Sequence, residues 1–306
     1  MYKKLTKHFS GLMPTKGWTG RNYHYLSKRI APTLFHKRSG SVKDVVIGTP
    51  SEREVWINWI GHSTFWVKMG DYSILIDPNW AMWHGPVKRV RKPGVRLADM
   101  PEVDMILVTH AHYDHLHKAS LRALKSRLGL VVPRGCEEIV KRCDFGHIYE
   151  MGIGEKFTFE RLRVEMTPVK HWGARMLHDM HREYGGFHIQ AGGVSLFHCG
   201  DSAYFDGFKK LGATHKTDVA LMPIGAYGAP SGRAVHMNPE EAVHAFIDMQ
   251  AKWLVPMHYG TFPLGTEHIL EPVERMLTEA DRQGVLDKVL VPEPGVGAHL
   301  YIDEEK

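Results

Sequence analysis

From Val55 onward the apolar positions fall into short runs punctuated by turn residues. Val55-Trp56-Ile57-Asn58-Trp59-Ile60 predicts a strand, Gly61-His62-Ser63 a turn, Thr64 to Met69 a second strand and, past Gly70-Asp71, Tyr72 to Ile76 a third. Asp77-Pro78-Asn79-Trp80 stops that run, and residues 80–101 read as an exposed loop with a basic cluster, Lys88-Arg89-Val90-Arg91-Lys92. Met105 to Val108 is a short buried strand. Lys118 to Arg127 has helical spacing through Leu121, Leu124 and Leu128; Leu130 to Pro133 returns as strand, and Cys136 to Arg142 as a short helix. Hairpins follow at 156–167 and 187–197, then a helix over Tyr204 to Leu211 and a strand over Val219 to Met222.

Asn238-Pro239-Glu240-Glu241 carries the marks of a helix start: a capping side chain, proline in the first turn and two acids against the helix dipole. A strand over Trp253 to Pro256, a helix over Glu271 to Gln283 and a last strand over Val289 to Val291 complete the pattern. Hairpins give way to strand–helix alternation twice, around 55–142 and 156–250. Two β-rich halves with helices outside imply a sheet-on-sheet core. No linker composition interrupts residues 51–306, which read as one domain. Residues 1–50 lack periodicity and read as an irregular extension, pinned to the body by Leu12-Met13-Pro14 and Trp18.

Charge separates the same two parts. Residues 1–50 hold ten Lys/Arg against one acid, Asp44, while the whole 306-residue chain is only +5. Such an arm is either a solvated basic cover or a surface for anionic lipid headgroups or phosphates. No nucleic-acid-binding module accompanies it, so no nucleic-acid partner is expected. Three cysteines, Cys136, Cys143 and Cys199, make no even framework and no Cys-x-x-Cys, and read as buried small hydrophobes in a reducing compartment. No secretory leader is visible at the start, and no run approaches the ~18 apolar residues of a membrane span. The expectation is a cytoplasmic protein, at most peripheral to the inner membrane face.

The densest chemistry follows Met105–Val108. His110, His112, Asp114 and His115 put three imidazoles and a carboxylate at the end of a buried strand. Alternate residues of an extended stretch point the same way, so His110 and His112 can reach one ion. A turn through Tyr113 can send Asp114 and His115 toward a second. Imidazole and carboxylate suit zinc first, with manganese or iron also admitted, and the lack of cysteine ligands argues against a closed structural zinc site. His117, beside them, does not read as a ligand.

His110-Ala111-His112-Tyr113-Asp114-His115 resembles the His-x-His-x-Asp-His signature of the metallo-β-lactamase superfamily. His171-Trp172, Gly200-Asp201-Ser202 and His258-Tyr259-Gly260-Thr261-Phe262 follow in that superfamily's order. Five segments narrow the likeness: 59–64, 171–175, 223–227, 236–242 and 258–262. They are similar to the N-acylphosphatidylethanolamine-hydrolysing phospholipase D branch, which sits close to the ascorbate-6-phosphate lactonases. Ser202 stands where that branch has threonine, and Tyr259 where it has tryptophan.

The resemblance implies an α+β fold, an αβ/βα four-layer sandwich. It also implies the remaining ligands: His171 for the first metal, Asp201 bridging both, His258 for the second. Two divalent ions about 3.5–4 Å apart would hold a bridging hydroxide as nucleophile. The expected activity is a metal-dependent phosphodiesterase acting on an N-acylated glycerophospholipid. A lactonase acting on a phosphorylated sugar lactone is the alternative enzyme, and a non-catalytic binding protein is the contrasting class. Asp114 would orient the nucleophile. His236, just before the helix start at Asn238, would bind a phosphoryl oxygen or protonate the leaving group, unless it caps or fills the core. His62 would orient a ligand or touch substrate. Arg175 would clamp a phosphate or serve as an ion-pair partner. The loop around Trp80, Met82 and Trp83 is either a lipid platform or a cover over the core. His198 reads as structural, and His178, His181 and His188 fall between motifs.

Overall fold

A computed structural model describes residues 18–176 and 179–303. His178, the stretch Leu12-Met13-Pro14 and the side chain of Trp18 lie outside what it describes.

The described residues open with helix, within the stretch where an irregular arm is expected. Helix α1 (Trp18–Tyr25) runs through a π turn (Leu26–Ile30) into α2 (Ala31–Phe35), whose first turn carries Pro32. Proline has no N–H to lose there. This segment is tied down by side chains instead of periodic burial, which is why the apolar pattern does not announce it. Tyr25 donates from its hydroxyl to the Pro263 carbonyl (2.8 Å), and Lys88 Nζ caps the end through the carbonyls of Leu34 (3.1 Å) and His36 (2.7 Å).

An antiparallel meander follows: β1 (Glu54–Gly61), β2 (Thr64–Met69) and β3 (Tyr72–Ile76). A small hairpin, β4 (Trp83–His84) with β5 (Val87–Lys88), precedes the parallel strands β6 (Val103–Leu107), β7 (Ser126–Pro133) and β8 (Ile148–Met151). Helix α3 (Lys118–Arg122) links β6 to β7, and α4 (Glu137–Val140) links β7 to β8. The α3 helix stops five residues before the expected end. Ser126 Oγ bonds the carbonyls of Asp104 (2.9 Å) and Gly129 (2.7 Å) and draws the chain into the sheet.

The second half repeats the scheme. Strands β9 (Lys156–Phe159), β10 (Leu162–Thr167), β11 (Gly186–Ala191) and β12 (Val194–His198) are antiparallel. They continue through α5 (Gly207–Thr214) to β13 (Val219–Pro223), and through α6 (Pro239–Asp248) to β14 (Trp253–Met257), both parallel. Helix α7 (Glu271–Arg282) and a closing strand β15 (Gly297–Tyr301) end the order. The expected last strand at 289–291 makes only an isolated bridge, Val289 to Leu254; Pro292 and Pro294 follow it, and β15 takes the edge beside β1 instead.

Among the described residues two large sheets result, ordered β15-β1-β2-β3-β6-β7-β8 and β14-β13-β12-β11-β10-β9. The period of two sorts their side chains. Val55, Ile57 and Trp59 join Val164, Phe187 and Leu196 between the sheets, while Trp56, Ile60 and Ile106 face outward to Leu121, Val140 and the two thiols Cys136 and Cys143. Phe208, Phe246 and Met276 bring α5, α6 and α7 onto the far side. Helix, sheet, sheet, helix is the four-layer sandwich the sequence implies. Its parallel strands end together at one rim, where loops can converge.

Candidate metal centre

That rim gathers the chain's histidines. Thr109, just after β6, is fixed by Asp77, just after the neighbouring β3: its N–H donates to Asp77 Oδ1 and its hydroxyl to Oδ2, both at 2.7 Å. The hydroxyl also accepts from His110 Nδ1 (2.9 Å), and Asp77 Oδ2 accepts from His115 Nδ1 (2.6 Å). His171 Nδ1 donates to the Val235 carbonyl (3.0 Å). In all three rings the Nδ1 proton is thereby spoken for, and Nε2 is left bare as a ligand atom.

His110 Nε2 and His171 Nε2 stand 2.9 and 3.2 Å from His112 Nδ1. With Asp201 they form one group whose ligand atoms all lie within 4.8 Å of one another. A tetrahedral ion with bonds of about 2.0–2.1 Å spaces its nitrogens roughly 3.3 Å apart, close to what these rings show. A second group is His62, Asp114, His115 and His258, within the same limit. Asp201 touches both: Oδ2 lies 3.1 Å from His258 Nε2, 3.7 Å from His171 Nε2 and 3.8 Å from His110 Nε2, and Oδ1 lies 3.3 Å from His115 Nε2. His115 Nε2, His258 Nε2 and Asp201 Oδ1 are buried and hydrogen-bond nothing. Orphaned lone pairs converging on two points fit divalent cations.

Electrostatics agree. Burial holds His110 and His171 well below the usual imidazole range, and His112 at about 4, the neutral state a ligand needs. Burial alone would raise Asp114 and Asp201, yet the surrounding imidazoles, His115 foremost, hold both well below the carboxylate range. Burial lowers His258 too, but Asp201 and Asp114 lift it to about 9, and His115 rises for the same reason. The buried acids call for positive charge at the place where the bare nitrogens meet.

The structure thus brings together all seven of the expected ligands. It also moves His62 inward. Its Nε2 meets Asp114 Oδ2 at 3.0 Å, and burial drives it to about 3. His62, Asp77 and His258 all adopt left-handed backbone (φ 57°, 47° and 60°), a strain that clusters at functional sites. Thr261 Oγ1 and the His62 carbonyl hold two of these turns by accepting from His62 N–H (2.8 Å) and His258 N–H (3.2 Å).

His236 faces the site without capping α6. That cap is Asn238, whose side chain and Glu241 form a reciprocal capping box. The His236 ring stacks 5.3 Å from His258, its buried Nδ1 lies 3.9 Å from Asp201 Oδ2 without a hydrogen bond, and burial lowers it to about 4. Arg175 is held at the ligand loop by carbonyls and a ring, without an ion pair among the described residues. Its Nη1 donates to the carbonyls of Ala111 (2.8 Å) and Leu116 (2.9 Å), and its guanidinium lies 3.8 Å over Tyr113. It brackets the ligand loop.

His198 is a strut, bonded through Nε2 to the Ser63 carbonyl (3.0 Å) and accepting from Gly200 N–H (3.1 Å). His117 accepts from Ser120 N–H as the α3 cap, His188 pairs with the Lys216 carbonyl, and His181 is exposed. The loop at 80–101 divides: Trp80 is buried and donates to the Val95 carbonyl, whereas Met82 and Trp83 face solvent. Its basic cluster is not all exposed, because Lys88 and Arg89 are buried.

Asp77 and Asn79 are the functional residues that sequence reasoning passes over, taking them as a strand stop. Asn79 Nδ2 donates to the Asp114 carbonyl (2.6 Å). The available signal is an acid at the end of an apolar strand that pairs in parallel with the ligand-bearing one.

A model of the beta-lactamase superfamily domain matches residues 72–259. The N-acyl-phosphatidylethanolamine-hydrolyzing phospholipase D 1 of Caenorhabditis elegans is 32% identical over 250 residues, covering 74% of this chain and 70% of its own. A metal-dependent hydrolase of Caldivirga maquilingensis is 34% identical over 251 residues, 81% of this chain and 99% of its own. Among solved structures, a metallo hydrolase from the archaeon Ignicoccus hospitalis superposes with a TM-score of 0.64 at 24% identity, over 82% of this chain and all of that one, and so shares the fold. With the fold, the ligand set and these relatives in agreement, the chain belongs to the beta-lactamase superfamily, on the metallo-β-lactamase fold, and is a metal-dependent hydrolase.

Proposed function

We propose that the protein binds two divalent cations, zinc by preference, and hydrolyses a phosphodiester in an N-acylated glycerophospholipid or a similar lipid. The observation that carries this reading is Asp201, whose two oxygens face both histidine groups. His110, His112 and His171 would hold one ion, Asp114, His115 and His258 the other. Bound there, such ions would lower the pKa of water and offset the negative charge of the phosphodiester. The chain's own groups do the rest. Asp77, Thr109 and Val235 fix the tautomers. His62 and Asn79 orient Asp114, which in turn orients the attacking water. His236, held neutral by burial and with an unpartnered buried nitrogen beside Asp201, donates an N–H hydrogen bond to a phosphoryl oxygen or to the leaving oxygen. The relative in Caenorhabditis elegans supports the phosphodiester over other esters.

No helix among the described residues is long and apolar enough to cross a membrane. We place the protein in the cytoplasm, touching the anionic inner membrane face through its basic arm. Phe35 is 90% exposed, and the half-exposed Trp83 of the β4–β5 hairpin has Arg38 and Lys88 over its ring at 5.6 and 5.7 Å. Paired assays test the activity: turnover of N-acylphosphatidylethanolamine with lactones inert supports it, and lactone turnover with every phosphodiester inert overturns it. Binding to anionic vesicles that weakens with salt supports the membrane contact, and no binding at low salt removes it.

A further inference from the structure

Arg89 is the residue of the basic cluster that the reaction leaves unused. Its side chain is 0% exposed. One nitrogen, Nη2, donates to the Asn79 carbonyl (3.2 Å); Nε and Nη1 are buried without a hydrogen bond, and no carboxylate among the described residues pairs with it. Burial, and then the nearby Arg38, push it down to about 9, so it is still charged at neutral pH. A buried cation without a counter-ion is costly, and methionine or leucine would pack the same space without that cost.

Arg89 is packed close behind the metal centre. The guanidinium lies 5.1 Å from the centre of the Phe262 ring, and that ring meets His62 edge-to-face at 5.2 Å. Gly61, immediately before His62, has no side chain where the guanidinium sits: a Cβ there would stand 3.2 Å from Nη2, on a backbone at φ 130°. We propose that the buried charge of Arg89 sets the preference of the metal cleft for an anionic substrate over a neutral one of the same shape. This rests on the phosphodiesterase reading for the identity of the anion, though not for the preference itself. The charge is no more than about 10 Å from the His62 ring, across protein and not water, so its field is weakly screened and worth about tenfold in anion affinity.

The test uses the metal-loaded full chain and two probes: dimethyl phosphate, a monoanionic diester with poor leaving groups, and neutral trimethyl phosphate. Titration calorimetry of Arg89→Met should show dimethyl phosphate weakened about tenfold and trimethyl phosphate unchanged, with Arg89→Lys restoring most of the loss. Metal retention against a chelator should be equal or tighter in Arg89→Met, since a nearby cation is gone; a merely structural role predicts looser metal. Unchanged dimethyl phosphate affinity, equal weakening of both probes, or loss of metal overturns the proposal. If neither variant folds, the variant Arg38→Glu at the half-buried neighbour serves. Arg38 and the Arg89 backbone both bond the Met82 carbonyl, so a carboxylate there can neutralise Arg89. It should weaken dimethyl phosphate where Arg38→Gln does not, and equal affinities in the two overturn the idea. Should the wild type prefer the anion through Arg89 yet cleave no phosphodiester, the phosphodiesterase reading falls and this one stands. Cleavage of diesters without any effect of Arg89 gives the reverse.

Discussion

Asp77 ties the ligand loop to the neighbouring strand β3. It holds Thr109 by two bonds and His115 by a third, from a left-handed backbone on the neighbouring strand. Asp77→Asn keeps the shape and removes the charge that fixes His115. Metal affinity should fall about 10–100-fold, read as faster loss to a chelator. His236→Ala should instead leave metal content intact and lower kcat about 100-fold; a His236 variant that loses metal with its activity would make the residue a ligand. Arg175→Lys cannot bridge the Ala111 and Leu116 carbonyls with one planar group, and should loosen metal while leaving the phosphate-dependence of KM unchanged. The ligands were legible in the sequence because few residue types can do their job and most sit in one short motif. Asp77, Asn79 and the carbonyl bonds of Arg175 were not, because each acts through a partner 32 to 64 positions away, across strands whose adjacency no local pattern encodes.

Helix α6 and its cap show how an element positions chemistry. The Asn238–Glu241 box fixes the first turn, and the residues just before it carry His236 and the Val235 carbonyl that orients His171. Asn238→Ala should cost about 1 kcal/mol in urea unfolding and also slow turnover, since the loop ahead of the cap loses its anchor. Helix α7 is bound to α6 through Glu279, which accepts from Arg282 and Gln283 and meets His244 of α6 at 3.0 Å. These bonds, Arg282 first, depress Glu279 to about 2. Its contribution is therefore complete above the unfolded value of about 4.3 and is lost as the pH falls toward 2. The urea midpoint of Glu279→Gln should trail the wild type by a constant gap above pH 5, and the gap should close in acid; a gap independent of pH would mean packing, not charge. This helix start was readable from Asn, Pro and paired acids. The α1–α2 segment was not, since its anchors are Tyr25, Lys88 and distant carbonyls, and β15 was not, since only one of its five residues, Leu300, is buried at the sheet edge.

The whole molecule places two half-sites on two sheets. The loop after β6 and the turn at His62 come from one sheet, His171, Asp201 and His258 from the other, and Asp201 joins them at the shared rim. Four layers were legible because hairpins and strand–helix alternation recur in both halves; the rim's meeting point was legible only through the family's motif order. Metal binding across the two sheets should stabilise the fold as a unit, so chelation should lower Tm and broaden the transition. The most direct measurement is metal content of the purified full chain beside Asp201→Asn, by elemental analysis after gel filtration. The account predicts about two equivalents of divalent metal in the wild type, and at most one in Asp201→Asn with hydrolysis abolished. A wild type that holds a single equivalent at full activity, or an Asp201→Asn that keeps both, would contradict it.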